Sequence, residues 1–238
     1  MTVPPSQEAA GGAAATPPEG RAPLWIAAAA VFDAEGLVSS RGLCRPELRP
    51  ERPPSWRALF DSPCAGYRRL PLRAKLLLTV AEAAGLALVP EPDEAALVLA
   101  STWGSLETDL AFAESLRTDR DLRPALFPYT LPSTCLGEVA IRFRLRGPTL
   151  CLSVPPGAEG AALEEGAAFV WGGEAPLALA AVADAVGAGG ARAGARSPGA
   201  RAALAVLAPE PGGLCPLEDL LAAADPWRRL GDRLRSSA

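Results

Sequence analysis

Apolar residues in this chain gather in short runs that alternate with longer stretches at helical spacing, and Gly, Pro and Asp punctuate the boundaries. Leu24 to Phe32 (LWIAAAAVF), closely bounded by Pro23 and Gly36, is uncharged and suits a buried strand. From Leu72 to Leu88 the apolar positions Leu72, Leu76, Val80, Ala83 and Ala84 recur at helical spacing among good helix formers, which predicts an amphipathic helix lying on a sheet. Ala96 to Ser101 (ALVLAS) is apolar on both faces, as strands of covered parallel sheets are. The loop Thr102-Trp103-Gly104-Ser105 leads into a second helical pattern over Leu106 to Leu116. Pro132 to Leu145 predicts a third helix, with Pro132 near its first turn and Arg142, Arg144 and Arg146 near its end, where cations offset the helix dipole. Thr149 to Val154 alternates Thr, Cys and Ser with Leu, Leu and Val and reads as a strand; Glu159 to Trp171 is a helix closed by Gly172-Gly173. Leu177 to Val182 and Arg201 to Ala208 are further strands, expected to pair antiparallel at one side of the sheet across the low-complexity linker Gly187 to Gly199. Strands that alternate with helices indicate an α/β domain of three layers, with five strands, a mostly parallel sheet and helices on both faces.

Three segments stand outside this alternation. Residues 1–23 are rich in Pro, Gly and Ala, lack a basic start and an apolar core, and are expected to form a disordered tail with no targeting signal. Gly36 to Tyr67, rich in Pro, Arg and Ser, is expected to be a long irregular crossover with a short helical turn around Trp56 to Phe60. Residues 210–238 form a helix-like tail with Leu217, Leu220, Leu221 and Leu230 as its apolar positions, placed either to cap the domain or to bind a partner. The folded domain is thus expected over residues 24–209.

Composition narrows the chemistry. A net charge of −4 with scattered arginines gives no basic stripe for nucleic acid or anionic lipid. No apolar run approaches the ~20 residues of a membrane helix, so a soluble, cytoplasmic protein is expected. The five cysteines, Cys44, Cys64, Cys135, Cys151 and Cys215, are odd in number and far apart, with no C-x-x-C pair, which argues against a disulfide framework or a zinc site. The chain has no histidine, which closes every mechanism that needs imidazole as base, shuttle or metal ligand. No cofactor is expected.

The stretch YTLPSTCLGEVAIRFRLRGPTLCLSVPP, Tyr129 to Pro156, reads as a helix, a tight turn at Arg146-Gly147-Pro148 and a strand that stops at a double proline. It resembles the β-ketoacyl synthases of fatty-acid and polyketide assembly, in which a Leu-Pro helix, Arg-Gly-Pro and a buried strand precede the condensing cysteine. Counted without gaps from Gly147-Pro148, the position of that cysteine falls on Pro156, and the likeness continues through Gly173-Glu174 to Ala183-Asp184. The passage Gly104 to Thr108 is similar to the loop after the second strand of small ketosynthase-like proteins, and Glu165 and Glu174 match acidic positions frequent in the family. The resemblance covers about Leu24 to Pro209 and implies the N-terminal half of a thiolase-like fold, with strand order 3-2-1-4-5 and the fifth strand antiparallel. It also implies that the second half of complete condensing enzymes, with its two histidines and lysine, is missing.

Proline at the nucleophile position supplies neither a reactive side chain nor the backbone N–H that, in the family, helps hold the oxyanion. Pro156 also suits the first position of a helix, and the two readings are compatible. The resemblance therefore implies a non-catalytic subunit, similar to the chain-length factors of type II polyketide or aryl-polyene systems, working beside an active ketosynthase. The rival readings are a residual acyltransferase using Cys151 or Cys64, and a binding module with no acyl chemistry. Arg142, Arg144 and Arg146 read as solvated caps or, alternatively, as contacts for an acyl carrier protein. The implied order makes Thr149, Leu150, Cys151, Leu152, Ser153 and Val154 an edge strand, expected to pair with its counterpart in a homodimer or in a heterodimer with an active synthase. A second partner surface is expected over the alanine-rich face of Ala161 to Val170.

Overall fold

The computed structural model describes residues 20, 22–59, 62–89, 92–117, 122–185, 199–211 and 213–238; the readings made for residues 1–19 and for the linker at 187–198 lie outside them. The strands are β1 Trp25–Asp33, β2 Gly36–Ser39, β3 Cys44–Arg45, β4 Ala96–Ser101, β5 Thr149–Ser153, β6 Ala178–Asp184, β7 Arg201–Ala208 and β8 Cys215–Pro216. The helices are α1 Leu72–Ala83, α2 Leu106–Arg117, α3 Thr134–Phe143, α4 Ala161–Trp171, α5 Leu217–Leu221 and α6 Pro226–Ser237, with short 3-10 turns between them. One of these turns, Trp56–Ala58, stands where a helical turn is predicted within the crossover.

The sheet has eight strands, not five, in the order β3-β2-β1-β7-β6-β4-β5, with β8 also on β1. It is mixed instead of mostly parallel, because only β4–β5 and β4–β6 pair in parallel. The antiparallel β6–β7 pair is present as predicted, but it lies inside the sheet. The order 3-2-1-4-5 is overturned by β1, which pairs antiparallel to β7 on the far side from β4. The reason lies in the segment taken for irregular crossover. β2 follows β1 through a tight turn in which the Glu35 N–H donates to Asp33 Oδ1 at 2.9 Å, and it must pair along one side of β1. A β1 flanked by β4 and β6 would have no side left for it. In the observed place, β7 takes one side of β1 while β2 and β8 share the other.

Both faces of the sheet are covered, which makes three layers. Leu97 and Leu99 of β4, Leu179 of β6, Leu204 of β7 and Phe32 of β1 face α1 and α3. The alternate positions Val98, Ala100, Ala180, Leu207 and Ile26 face α4, α5 and α6. α1 is buried nearly all round instead of on one face, since the crossover covers its outer side. It stops at Ala83, short of the predicted Leu88, because Gly85 takes a left-handed conformation at φ 78° and its N–H returns to Glu82 O at 2.9 Å. α3 ends likewise at Arg144, with φ 59°.

The Arg146-Gly147-Pro148 turn has a steric reason for its glycine. The N–H groups of Arg146 and Gly147 both donate to Asp93 O, at 2.6 and 3.1 Å, and draw the turn onto the start of β4. A Cβ on Gly147 would lie 2.2 Å from the Ala95 carbonyl oxygen. β5 is thereby set in register beside β4, with Leu97 opposite Thr149 and Ser101 opposite Ser153.

Candidate functional site at the carboxyl ends of the parallel strands

In open α/β sheets, ligands and catalytic groups gather where parallel strands end. Here β4, β5 and β6 end together, and a buried polar network fills the place. Asp184, the last residue of β6 and 1% exposed, accepts from Ser101 Oγ at 2.6 Å and from the Thr102 and Trp103 N–H groups at 3.1 Å each. Ser101 Oγ in turn accepts from the Gly104 N–H at 2.8 Å. Glu159, on the segment between β5 and α4, accepts from Thr102 Oγ1 at 3.1 Å and from the Gly157 N–H at 2.9 Å. Arg201, at the start of β7, binds Glu159 Oε1 and approaches Asp184 Oδ2 at 4.0 Å. Trp227 of α6 donates to the Glu159 carbonyl at 3.0 Å and closes the network from the second helical layer. These groups hold the loop after β4 and the loop after β5 in place, and Ser101, 1% exposed, offers no accessible hydroxyl.

The residues singled out in the sequence divide around this network. Pro156 is exposed in the turn that follows β5, where the Ala158 N–H donates to Pro155 O at 3.1 Å. It does not start a helix: α4 begins only at Ala161. Cys151 is half-buried, on the face of β5 that meets the α1 and α3 layer, opposite Leu99 of β4. Burial pushes its thiol above the ordinary value, and the nearby Arg73 guanidinium only partly opposes that rise. Cys64 lies in the crossover, and burial raises it too, against the pull of Arg142. Cys135 and Cys215 are buried and raised for the same reason. Arg142 is tied down by Glu82 at 3.2 Å and by the carbonyls of Pro63 and Ser62, while Arg144 and Arg146 are exposed.

The sequence reading missed Ser101, Glu159 and Arg201 as one group. Its signal was present in Ser101 and Asp184, each a polar residue that closes an otherwise uncharged strand; their convergence depends on β4 and β6 being neighbours. β5 does stand at the end of the sheet, as the edge reading requires. On α4, Ala168 is exposed and Phe169, Val170 and Trp171 are half-buried, while the larger exposed apolar side chains stand at Leu88, Leu110, Leu116, Leu122, Phe127 (63% exposed), Leu131 and Ile141 (78%). Among the described residues, no three His, Cys, Asp or Glu side chains converge as a metal ion requires, and no helix is long and apolar enough to cross a membrane.

No family model matches the chain, and no curated protein does. Solved structures do. A chain of the ketosynthase in complex with its chain length factor from Xenorhabdus doucetiae superposes with a TM-score of 0.61 at 16% identity, over 79% of each chain. The ishigamide ketosynthase/chain length factor gives 0.56 at 18% identity, over 78% of this chain and 62% of that one. A β-ketoacyl synthase from Burkholderia phymatum gives 0.56 at 16% identity, over 79% and 59%. This chain thus spans about three fifths of the latter two. The arrangement of strands and helices described here is therefore similar in fold to these ketosynthase and chain length factor structures.

Proposed function

We propose that the protein is a non-catalytic ketosynthase-like subunit that assembles with an active ketosynthase in fatty-acid or polyketide chain building, in the manner of a chain length factor. The observation that carries this reading is the end of β5: the strand stands at the sheet edge and runs into an exposed Pro155-Pro156 turn where the resemblance puts the nucleophile. The network around Asp184 and Glu159 supports it, because each of its groups is engaged in holding loops. The raised thiols of Cys64 and Cys151 weigh against residual acyl transfer, since the thiolate is the reacting form.

The assembly surface is the β5 edge, Thr149 to Val154, which pairs with the matching strand of a synthase or of a second copy. An acyl carrier protein is the further partner such a complex would serve.

The test combines the purified protein with candidate active ketosynthases and reads size by light scattering. A complex is expected with one of them, and it is lost in Leu152→Pro, which breaks the edge strand. The protein alone is expected not to decarboxylate malonyl carrier protein, and Pro156→Cys is expected not to confer condensation, for want of imidazole. A monomer with every candidate, or turnover by the protein alone that disappears in Cys151→Ala, overturns the reading.

A further inference from the structure

A cleft of about 810 Å³ opens at the end of the sheet opposite the Asp184 network, where β6 begins and β7 ends. Its volume falls within the range of small-molecule sites. The floor is the start of β1, where the register against β7 shifts between Ile26 and Ala28 and leaves Ala27 exposed. The walls are the end of α1 with the turn that follows it, and the segment 209–214. That segment is drawn onto β1, because the Leu214 N–H donates to Ile26 O at 2.7 Å and a Cβ on Gly213 would lie 2.2 Å from the same oxygen.

The lining is aliphatic. Leu88, Val89, Leu177, Val206 and Leu214 contribute to it, no aromatic side chain does among the described residues, and Leu88 is left 70% exposed. Such a wall takes an alkyl body and offers no ring for stacking. The polar side chains are few, and two of them, Ser40 and Arg41, follow β2 directly. The Arg41 stem lies over Gly85, since a Cβ there would meet Arg41 Cδ at 2.6 Å and Nη1 at 3.2 Å, and this holds the guanidinium at the cleft wall. The Arg41 backbone N–H donates to Ser39 Oγ at 3.3 Å, but among the described residues its guanidinium makes no hydrogen bond or ion pair. Ser40 Oγ accepts from the Ala29 N–H at 3.0 Å, which leaves its O–H to donate. Two donors, one of them cationic, beside an aliphatic wall suit an anionic acceptor on an alkyl chain. Glu210 on the 209–214 segment is exposed and leaves Arg41 unpaired, yet its charge disfavours a ligand with more than one negative charge. A carboxylate carries one.

We propose that this cleft binds an aliphatic monocarboxylate, its carboxylate accepting from Arg41 and Ser40 and its chain lying against Leu88, Leu177 and Val206. The site is independent of any ketosynthase partnership.

Octanoate titrated into the full-length protein, followed by protein-observed NMR, is expected to bind saturably with a Kd of about 1 mM or tighter. 1-Octanol, the same chain without the charge, and acetate, the same head without the chain, are each expected to bind at least about 5-fold more weakly. Arg41→Met, which keeps an unbranched stem over Gly85, should weaken octanoate by about 5-fold and leave 1-octanol unchanged. Leu88→Ser, at an exposed position, should weaken both by about 3-fold. Both variants are expected to keep the folded spectrum. Absence of saturable octanoate binding, 1-octanol or acetate binding as tightly as octanoate, or octanoate binding unchanged in either folded variant overturns the proposal.

Discussion

A thiol reacts as its thiolate, and at both Cys64 and Cys151 burial works against that form. A raised pKa means that less thiolate is present at every pH below it. Alkylation by iodoacetamide at neutral pH is therefore expected to be slower at Cys151 than at a free cysteine, and to accelerate as pH rises past the ordinary thiol range. Mass spectrometry of the modified peptides reads this directly, and rapid neutral labelling of Cys151 contradicts it. Asp184 is the residue on which the neighbouring loop depends most, because one buried carboxylate accepts from Ser101, Thr102 and Trp103. Asp184→Ala leaves those donors and the Arg201 charge without it. A loss of about 3–5 kcal/mol in unfolding free energy is expected by urea titration. A loss below about 1 kcal/mol would show that water replaces the carboxylate at little cost.

At the level of elements, the sequence located the runs that bury on both faces, and β4, β5, β6 and β7 lie where ALVLAS, TLCLSV, LALAAV and AALAVLA predict strands. It did not locate β2 and β3, because GLVS and CR are too short to carry a period and gain their pairing from β1. The place of β1 was equally hidden: alanines at 27–30 have no preferred neighbour, and the register that sets Ala28, Ala29 and Ala30 opposite Val206, Ala205 and Leu204 is a tertiary outcome. Glycines were legible as stops but not as contacts. Gly147→Ala puts a methyl against backbone carbonyl that cannot withdraw, so a loss of at least about 2 kcal/mol is expected. Gly85→Ala meets the flexible end of Arg41 at 2.6 Å and chiefly strains its own φ, so a smaller loss of about 1–2 kcal/mol is expected. Denaturant midpoints of the two variants rank these effects, and the reverse order would refute the contact argument.

For the molecule as a whole, the chain beyond Pro209 is part of the second helical layer. Cys215, Leu217, Leu220, Trp227, Leu230 and Leu234 are all buried in the core that covers one face of the sheet. Trp227→Ala is expected to cost about 3–5 kcal/mol, seen as a fall in Tm, since it opens a cavity there and frees the Glu159 carbonyl. A variant with unchanged Tm would mean that the layer is dispensable. The pairing of β1 with β7 also carries a kinetic consequence. β1 ends at Asp33 and β7 begins only at Arg201, so on the ribosome an alanine-rich strand must leave one side bare until almost the entire domain has emerged. Closure of so long a loop is expected to slow folding, and the sheet can become continuous only when β7 slots between β6 and β1.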